Sequence, residues 1–408
     1  MPLFNPSIMI ATVVNFLLIC LANAQNTSAI YLPSLNNSTH VGVRTFPLVD
    51  KHRLDPFTNF TQHREIMLSL YYPAEYYPSE LHHGQQPSPS PNALTTRYMP
   101  NATAAIYDAN VAQYGVPNGS FERLHTLCQT NAPISTRKSS FPLILFSPGL
   151  GNSRLLYTTI AQEVARNGYI VASIDHPYDA QVVEFPDGRL VFNPKFNFTG
   201  SPEAVLALIN ENVAVRVQDV SFLLDELSSP SARHPFEIDS KKVVMFGHSL
   251  GGTTAASAMV NETRIAGGLN FDGDFYGAIV ANGSIVRKPF LLFEAARPGV
   301  PRPNWDDAWN NHFQGWKLDV ELFGGVHGSF EDLPLLADIL GLRAALGKAG
   351  DAVLGTVLGL RGLQIMSDYV SAFAEFVFSG EKAEKGDLVD GKNSTRYPEV
   401  GVVRFARG

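Results

Sequence analysis

The chain has 408 residues and a formal net charge of −7, which gives no electrostatic attraction to nucleic acid or to anionic membranes. Its two cysteines, Cys20 and Cys128, belong to no Cys/His cluster with zinc spacing, and no Asp/Gly loop matches a calcium site. The sequence therefore predicts no metal, no cofactor and no nucleic-acid partner, and any contact with lipid has to be apolar.

Residues 1–24 have the pattern of a secretory signal peptide. An apolar run over 8–21 precedes Ala22-Asn23-Ala24, a small-x-small cleavage site, and the run is short for a membrane span. Removing Cys20 with this segment leaves Cys128 without a partner in the chain, so we expect a core rather than disulfides to hold the fold. Ten N-x-Ser/Thr sequons add to the prediction of a secreted glycoprotein: Asn26, Asn36, Asn37, Asn59, Asn101, Asn118, Asn197, Asn261, Asn282 and Asn393.

One domain is predicted over residues 25–395, with a proline- and serine-rich loop insert at 78–100 and a charged, loosely held tail at 396–408. We interpret His82 and His83, inside the insert, as solvated loop residues. The elements predicted in chain order are strands at 41–45 and 66–72, a helix at 101–114, a strand at 141–146, a helix at 154–167, a strand at 169–174, a hairpin at 181–192, a helix at 202–227, and strands at 243–246, 264–271 and 318–323. This alternation favours an α/β fold with a mainly parallel central sheet, helices on both faces, and functional loops at the carboxyl ends of the strands.

The strand at 243–246 leads into Gly-His-Ser-Leu-Gly-Gly at 247–252. Glycines stand two positions before and after Ser249, and a segment of small residues with helical character follows. This strand-turn-helix context is the one in which G-x-S-x-G holds a nucleophilic serine on a strained turn. The pattern predicts Ser249 as a nucleophile, which needs a base to remove its proton.

Only two of the eleven histidines follow Ser249 in the chain, namely His312 and His327. The chain order of an α/β-hydrolase triad is serine, acid, histidine. His327 lies on a glycine-rich loop directly after a predicted strand and is therefore predicted to be the base. His312 has no such strand before it, and His176, which precedes the serine, is interpreted as structural.

The acid of such a triad lies between the serine and the histidine. Asp272 follows the predicted strand at 264–271 at once, which places it at the same edge of the sheet as Ser249. It is the predicted acid, although an Asp-Gly pair is also a common turn former. Four other candidates remain open: Asp274, Asp306, Asp307 and Asp319.

Five motifs between residues 64 and 378 together resemble the secreted platelet-activating-factor acetylhydrolases, also called lipoprotein-associated phospholipases: Phe-Ser-Pro-Gly-Leu-Gly at 146–151, Ile-Asp-His at 174–176, Gly-His-Ser-Leu-Gly-Gly at 247–252, Asn-Phe-Asp-Gly at 270–273 and Val-His-Gly-Ser-Phe-Glu-Asp at 326–332. The resemblance implies an α/β-hydrolase fold with Ser249, Asp272 and His327 as the triad. It also implies that the backbone N–H groups of Leu150 and Leu250 bind the oxyanion.

One position departs from that family. Pro148 stands where the family usually has histidine. Because proline lacks an N–H but the expected donor is Leu150, we expect the oxyanion hole to survive with an altered loop rigidity.

The residues predict a metal-independent serine esterase that hydrolyses carboxylic esters through an acyl-enzyme. The resemblance implies a phospholipid substrate with a short or oxidised sn-2 acyl chain. Two rivals stay open: a secreted esterase similar to cutinases or polyester hydrolases, and a catalytically silent binding module with the same fold.

The segment at 333–378 is rich in Leu, Ala and Gly and carries few charges. Its simplest interpretation is a set of helices packed on the sheet. Because it begins just after His327, an alternative is that Leu335, Leu336 and Ile339 anchor the protein transiently to a lipid surface.

Overall fold

The computed structural model describes residues 28–36, 39–75, 95–193, 200–228, 238–281, 283–381 and 388–408. The predicted signal peptide lies outside these ranges. So do most of the loop insert, with His82 and His83, and the sequons at Asn26, Asn37, Asn197 and Asn282.

The strands are β1 (Ile30–Tyr31), β2 (His40–Leu54), β3 (His63–Ala74), β4 (Thr96–Arg97), β5 (Leu124–Thr126), β6 (Cys128–Thr130), β7 (Phe141–Ser147), β8 (Ile170–Asp175), β9 (Val182–Glu184), β10 (Leu190–Phe192), β11 (Ile238–His248), β12 (Ile265–Phe271), β13 (Phe290–Ala295), β14 (Lys317–Leu322) and β15 (Val400–Ala406). The α-helices are α1 (Asn101–Val111), α2 (Thr158–Arg166), α3 (Pro202–Leu227), α4 (Leu250–Asn261), α5 (Pro303–Asp307), α6 (Leu333–Ile339), α7 (Leu342–Leu354) and α8 (Gly359–Phe378).

Within the described ranges, ten strands form one sheet in the order β15-β14-β13-β12-β11-β7-β8-β3-β2-β6. Six of its neighbouring pairs are parallel and three are antiparallel, so the predicted mainly parallel sheet is confirmed. β9 and β10 form the predicted antiparallel hairpin. The parallel strands β7, β8, β11, β12, β13 and β14 end at one edge, where the candidate site lies.

Helices cover both faces of the sheet because the central strands are apolar on both sides. In β11, Val244 and Phe246 join one core with residues of α2 and α8, whereas Val243 and Met245 join a second core with residues of α3 and α4. Adjacent side chains of a strand point to opposite faces, so one short apolar run contributes to both cores. The two cores hold the strand ends, and thus the site, in a fixed geometry.

Several segments differ from the predictions, among them the short strands β1, β5 and β6 and the longer β2. β13 is an additional central strand between β12 and β14, formed by the apolar run that begins at Phe290. β15, expected within a loosely held tail, pairs antiparallel with β14 and closes that edge of the sheet. The end of the loop insert forms β4, and Tyr98 and Met99 beside it are buried.

The apolar segment after the site folds as α6, α7 and α8. Leu335 and Leu336 are only 3% and 2% exposed, and Ile339 packs against the same core. The expectation that Leu335 and Leu336 anchor the protein to lipid is therefore wrong, since α6 turns these leucines towards the sheet and α8. Ile339 is only half-buried, and its contact with lipid stays a prediction. In the part of the chain that the structure describes, no helix is both long and apolar enough to cross a membrane.

Cys128 lies buried in β6 as a free thiol. Its Sγ donates to Oε1 of Gln162 at 3.0 Å, and burial raises the pKa of the thiol to about 12. The residue therefore behaves as a small core side chain rather than as a reactive thiolate.

Candidate active site

Ser249 lies on a sharp turn between β11 and α4. Its backbone has φ 55° and ψ −123°, a region that residues other than glycine rarely adopt. The flanking glycines permit the turn: a Cβ at Gly247 would come within 2.2 Å of the Gly251 backbone, and one at Gly251 within 1.9 Å of the Ser147 carbonyl oxygen. The turn thus presents a half-buried serine at the strand ends. Gly247 and Gly251 pack too closely against the backbone for either to carry a side chain.

The loop after β12 crosses directly over this turn. The Ser249 N–H donates to the Phe271 carbonyl oxygen at 2.8 Å, and a Cβ at Gly273 would come within 2.0 Å of the Ser249 carbonyl oxygen. Asp272, between these contacts, has φ 53° and donates its N–H to the Phe293 carbonyl oxygen at 2.9 Å. Ser249 and Asp272, which both have positive φ, are therefore fixed by backbone contacts.

The carboxylate of Asp272 is buried and receives donors from several directions. Oδ2 accepts from His327 Nδ1 at 2.7 Å, and the Ala295 N–H donates to Oδ1 at 3.1 Å. Arg297 donates to both oxygens at 2.9 and 2.6 Å, and Arg302 donates to Oδ1 at 3.2 Å. Burial alone raises the pKa of a carboxyl group, but the hydrogen bond from His327 and the nearby positive charges outweigh it and hold the pKa of Asp272 well below its ordinary value.

His327 begins a short turn five residues after the end of β14, and its side chain is 50% exposed. Because an ionised carboxylate only accepts hydrogen bonds, the contact with Asp272 places a proton on Nδ1. In the neutral ring the other nitrogen, Nε2, is then an acceptor. This is the tautomer that a general base requires.

A buried histidine packs against the ring of His327. The ring centroids of His248 and His327 are 4.5 Å apart, and burial lowers the pKa of His248 well below its ordinary value. Tyr157 Oη lies 2.8 Å from His248 Nδ1, and Glu331 Oε1 lies 3.7 Å from the same atom. Burial raises the pKa of Glu331 to about 7. A buried, polar wall thus supports the exposed imidazole.

The two amides predicted to bind an oxyanion lie on either side of the serine turn. Leu250 is the first residue of α4, and the N–H groups of a helix's first turn have no acceptor within the helix. Leu150 follows β7, the strand next to β11, and is half-buried. Among the described residues, neither amide donates a backbone hydrogen bond.

The alternative acids and the alternative base have other partners, although Asp274 shares Arg302 with Asp272. Asp274 contacts Arg302 at 3.3 Å, and Asp306 and Asp319 both pair with Arg404. His312 Nδ1 donates to the Ser284 carbonyl oxygen at 2.8 Å, and its Nε2 lies 3.5 Å from Asp307 Oδ2. The described residues hold no group of three His, Cys, Asp or Glu side chains placed to bind a metal ion.

Sequence reasoning missed the two arginines on Asp272. Arg297 and Arg302 lie in a loop rich in proline and glycine after β13, where no periodic pattern indicates their direction. It also missed the partners of His176, which lies 3.0 Å from Ser147 Oγ and 2.8 Å from Asp219 Oδ2. The helical spacing of α3 indicates apolar core positions and gives no signal for a buried carboxylate.

The mixed sheet with helices on both faces, and the serine turn between strand and helix, place the protein among the α/β-hydrolases. Within that class the chain belongs to the family described as platelet-activating factor acetylhydrolase, isoform II, whose family model matches residues 56–185 and 209–351. The resemblance seen in the sequence motifs is thereby confirmed.

Two relatives show how far this similarity extends. A probable 1-alkyl-2-acetylglycerophosphocholine esterase of Arthroderma benhamiae is 36% identical over 270 residues, covering 64% of this chain and 65% of its own. The platelet-activating factor acetylhydrolase of Cavia porcellus is 27% identical over 302 residues, covering 67% of this chain and 66% of its own. The chain thus aligns with slightly less than two thirds of each relative's length.

A solved structure extends the similarity over nearly the whole chain. The ferulic acid esterase from Streptomyces cinnamoneus superposes with a TM-score of 0.74 at 28% identity, covering 92% of this chain and 100% of that one.

Proposed function

We propose that this protein is a secreted serine esterase in which Ser249 is the nucleophile, His327 the general base and Asp272 the acid that orients it. One observation carries the proposal. The half-exposed His327 is held at Nδ1 by a fully buried carboxylate, at the strand edge where Ser249 has a strained backbone. Exposure of the base and strain at the nucleophile are expected of a working hydrolase site.

The first half of the reaction forms an acyl-enzyme. His327 Nε2 accepts the proton of the Ser249 hydroxyl as its oxygen attacks the ester carbonyl, and Asp272 stabilises the imidazolium that results. The N–H groups of Leu150 and Leu250 donate to the oxyanion of the tetrahedral intermediate, each contributing about 3 kcal/mol in comparable sites. The intermediate collapses as the alcohol leaves with the proton from His327.

The second half releases the acid. His327 takes a proton from water, which attacks the acyl-enzyme, and the proton returns to Ser249 as the ester bond breaks. These steps use no metal or cofactor, so dialysis against EDTA is expected to leave kcat unchanged. A loss of activity that added metal restores would contradict this mechanism.

The substrate we propose is a phospholipid with a short or oxidised sn-2 acyl chain, of the 1-alkyl-2-acetylglycerophosphocholine type. Family membership and the name of the Arthroderma benhamiae relative support this choice. A second candidate is an aromatic or polymer ester, because the ferulic acid esterase superposes over 92% of the chain at 28% identity.

Secretion and N-glycosylation belong to the same proposal. They rest on the composition of residues 1–24 and on the sequons. All six sequon asparagines in the described ranges are exposed: Asn36, Asn59, Asn101, Asn118, Asn261 and Asn393. We expect a eukaryotic host to secrete a protein whose mass falls on treatment with an N-glycosidase. Retention of an unglycosylated protein in the cells would contradict the proposal.

The nucleophile can be tested by covalent labelling. A fluorophosphonate probe followed by peptide mapping should modify the peptide that contains Ser249, and Ser249→Ala should abolish both labelling and turnover of p-nitrophenyl acetate. Ser147→Ala is the matched control. Ser147 is hydrogen-bonded to a histidine that in turn contacts an aspartate, but all three side chains are buried. Absence of labelling in the folded wild-type protein would favour the silent binding module.

The acyl preference can be tested on four substrates with the same enzyme preparation. We expect kcat/KM to be highest for 1-alkyl-2-acetylglycerophosphocholine and to fall for a phospholipid with a long sn-2 chain. Methyl ferulate and a polyester film serve as the competing substrates. Preference for either of these would replace the phospholipid assignment while leaving the proposed triad intact.

A further inference from the structure

A second set of serine, histidine and aspartate side chains, linked by hydrogen bonds, lies buried beside the loop that carries Leu150. Ser147 Oγ is 3.0 Å from His176 Nε2, and His176 Nδ1 is 2.8 Å from Asp219 Oδ2. Each of the three residues is at most 1% exposed. No ester can reach this set, so it serves the fold around the loop rather than a second reaction.

Arg216 connects this buried set to the loop. It lies on α3, is 1% exposed, and is held by Asp179 through hydrogen bonds of 2.7 and 2.5 Å. Its remaining donors reach Ser147 Oγ at 3.2 Å and the carbonyl oxygens of Pro148 and Gly149 at 2.6 and 3.2 Å. One guanidinium therefore fixes three consecutive residues at the end of β7.

The contact with Gly149 determines where the next N–H points. The Gly149 carbonyl and the Leu150 N–H belong to one planar trans peptide and point in opposite directions. Arg216 and the Asn152 N–H both donate to the carbonyl oxygen, while the Gly149 N–H donates to Tyr157 Oη at 3.3 Å. With its carbonyl held towards α3, the peptide turns the Leu150 N–H away from α3.

We propose that Arg216 is a positioning residue that aims the Leu150 N–H at the oxyanion through the Gly149–Leu150 peptide. This inference rests on the proposed function, in which that N–H is one of the two oxyanion donors. Arginine suits the task because its rigid fork presents five donors in one plane and can satisfy a carboxylate and several carbonyl oxygens together. A lysine at 216 carries the same charge but cannot make this set of contacts.

The test compares Arg216→Lys with Arg64→Lys. Arg64 is also a fully buried arginine paired with carboxylates, Asp55 and Asp219, but its backbone contact is with Pro177 rather than the oxyanion loop. For each folded variant, kcat and KM are measured on a short-chain ester. The inhibition constant is measured with a trifluoromethyl ketone, which forms a tetrahedral oxyanion on the serine.

We expect Arg216→Lys to lower kcat by about 10²-fold, the loss typical for one oxyanion donor, with KM nearly unchanged. The inhibition constant should rise by a similar factor. Arg64→Lys should lower thermal stability more than either kinetic value. If Arg216→Lys keeps kcat and inhibition within about threefold of wild type, or if both arginine variants change in parallel, Arg216 only supports the fold and the proposal is overturned.

A second variant covers the case in which Arg216→Lys does not fold. Asp179→Asn retains the arginine but removes the charge that holds it, so kcat should fall and the inhibition constant should rise together, by less than in Arg216→Lys. Unchanged kinetics in folded Asp179→Asn would also overturn the proposal. Failure of the proposed function itself is recognised separately, by wild-type protein that does not react with fluorophosphonate.

Discussion

The proposed triad of Ser249, His327 and Asp272 and the buried set of Ser147, His176 and Asp219 lie at the carboxyl ends of strands in the same sheet. Ser147 ends β7 and pairs in register with Gly247 of β11, two residues before Ser249. In both sets a histidine Nδ1 lies within 2.8 Å of a buried aspartate oxygen. In both sets arginines contact that aspartate. The histidine–aspartate contacts alone therefore do not distinguish the proposed catalytic set from a structural one.

The two sets differ at the serine and at the histidine. Ser249 has φ 55° on a turn, whereas Ser147 is the last residue of a regular strand. The side chain of His327 is 50% exposed and that of His176 is 1% exposed. A substrate can reach the first pair only.

The two aspartates, by contrast, are electrostatically alike. Burial alone raises the pKa of a carboxyl group, but in Asp219 the charge of Arg64 and the hydrogen bond from His176 outweigh it and hold the pKa well below its ordinary value. The same balance acts on Asp272 through His327 and two arginines. Access and backbone strain, rather than the charge of the acid, separate the two sets.

The largest expected effect comes from changing the acid of the exposed set. Asp272→Asn should lower kcat by about 10⁴-fold, because an amide stabilises neither the required tautomer nor the imidazolium. Steady-state hydrolysis of p-nitrophenyl acetate measures it. Asp274→Asn is the matched control and should change kcat far less, since Asp274 contacts Arg302 and not His327. The reverse ranking would move the acid to Asp274.

The same substitution in the buried set should affect stability instead. Asp219→Asn removes the carboxylate that His176 contacts and leaves Arg64 with Asp55 and Arg53 with Asp50 alone. Breaking a buried ion pair from one side typically costs about 3–5 kcal/mol. Urea unfolding of wild type and variant measures the difference in free energy. Loss of kcat in the folded variant as large as that of Asp272→Asn would show that the buried set takes part in catalysis.

The exposed set could be predicted from the sequence because each of its members follows a strand, and the structure brings Asp272 and His327 into contact. Gly247 and Gly251 mark the turn, and Asp272 and His327 are the first polar residues suited to the chemistry after β12 and shortly after β14. The order of strands and helices likewise predicted the mainly parallel sheet. Local patterns carry this information because the turn and the strand ends are set by neighbouring residues.

The buried set and the edge strand depend on contacts between distant segments. Ser147, His176 and Asp219 come from three elements, and Arg216 has the same helical spacing as an apolar core residue. β15 forms only because β14 offers a free edge for pairing. No periodic pattern in one segment encodes such partners.

The next expected effect is a difference between wild type and a His176 variant in how the free energy of unfolding depends on pH. Burial and the charge of Arg216 lower the pKa of His176, although the contact with Asp219 opposes this. A buried histidine that stays neutral binds no proton when the unfolded chain does, so its contribution to stability is complete above about pH 6.5 and is lost as pH falls. The slope reaches at most about 1.4 kcal/mol per pH unit.

Comparison of wild type with His176→Gln isolates this contribution. Urea unfolding at pH 5 and pH 7.5 should show a smaller loss of stability on acidification in the variant, even if the variant is less stable at both values. Glu331 and Asp332, whose pKa values burial raises to about 7, act with the opposite sign in both proteins and cancel in the difference. Identical pH dependence in the two proteins would mean that folding does not shift the pKa of His176.

The smallest expected effect is that of removing the serine of the buried set. Ser147→Ala deletes one hydrogen bond with His176 and one with Arg216, while Arg216 keeps its contacts with Pro148 and Gly149. A typical net loss for a hydrogen bond is about 1 kcal/mol, so thermal and urea unfolding should show a modest destabilisation. Because the Gly149–Leu150 peptide stays held, kcat should remain within a few-fold of wild type and fluorophosphonate labelling should be normal. A loss of activity approaching that of Ser249→Ala would mean that access and strain do not separate the two sets.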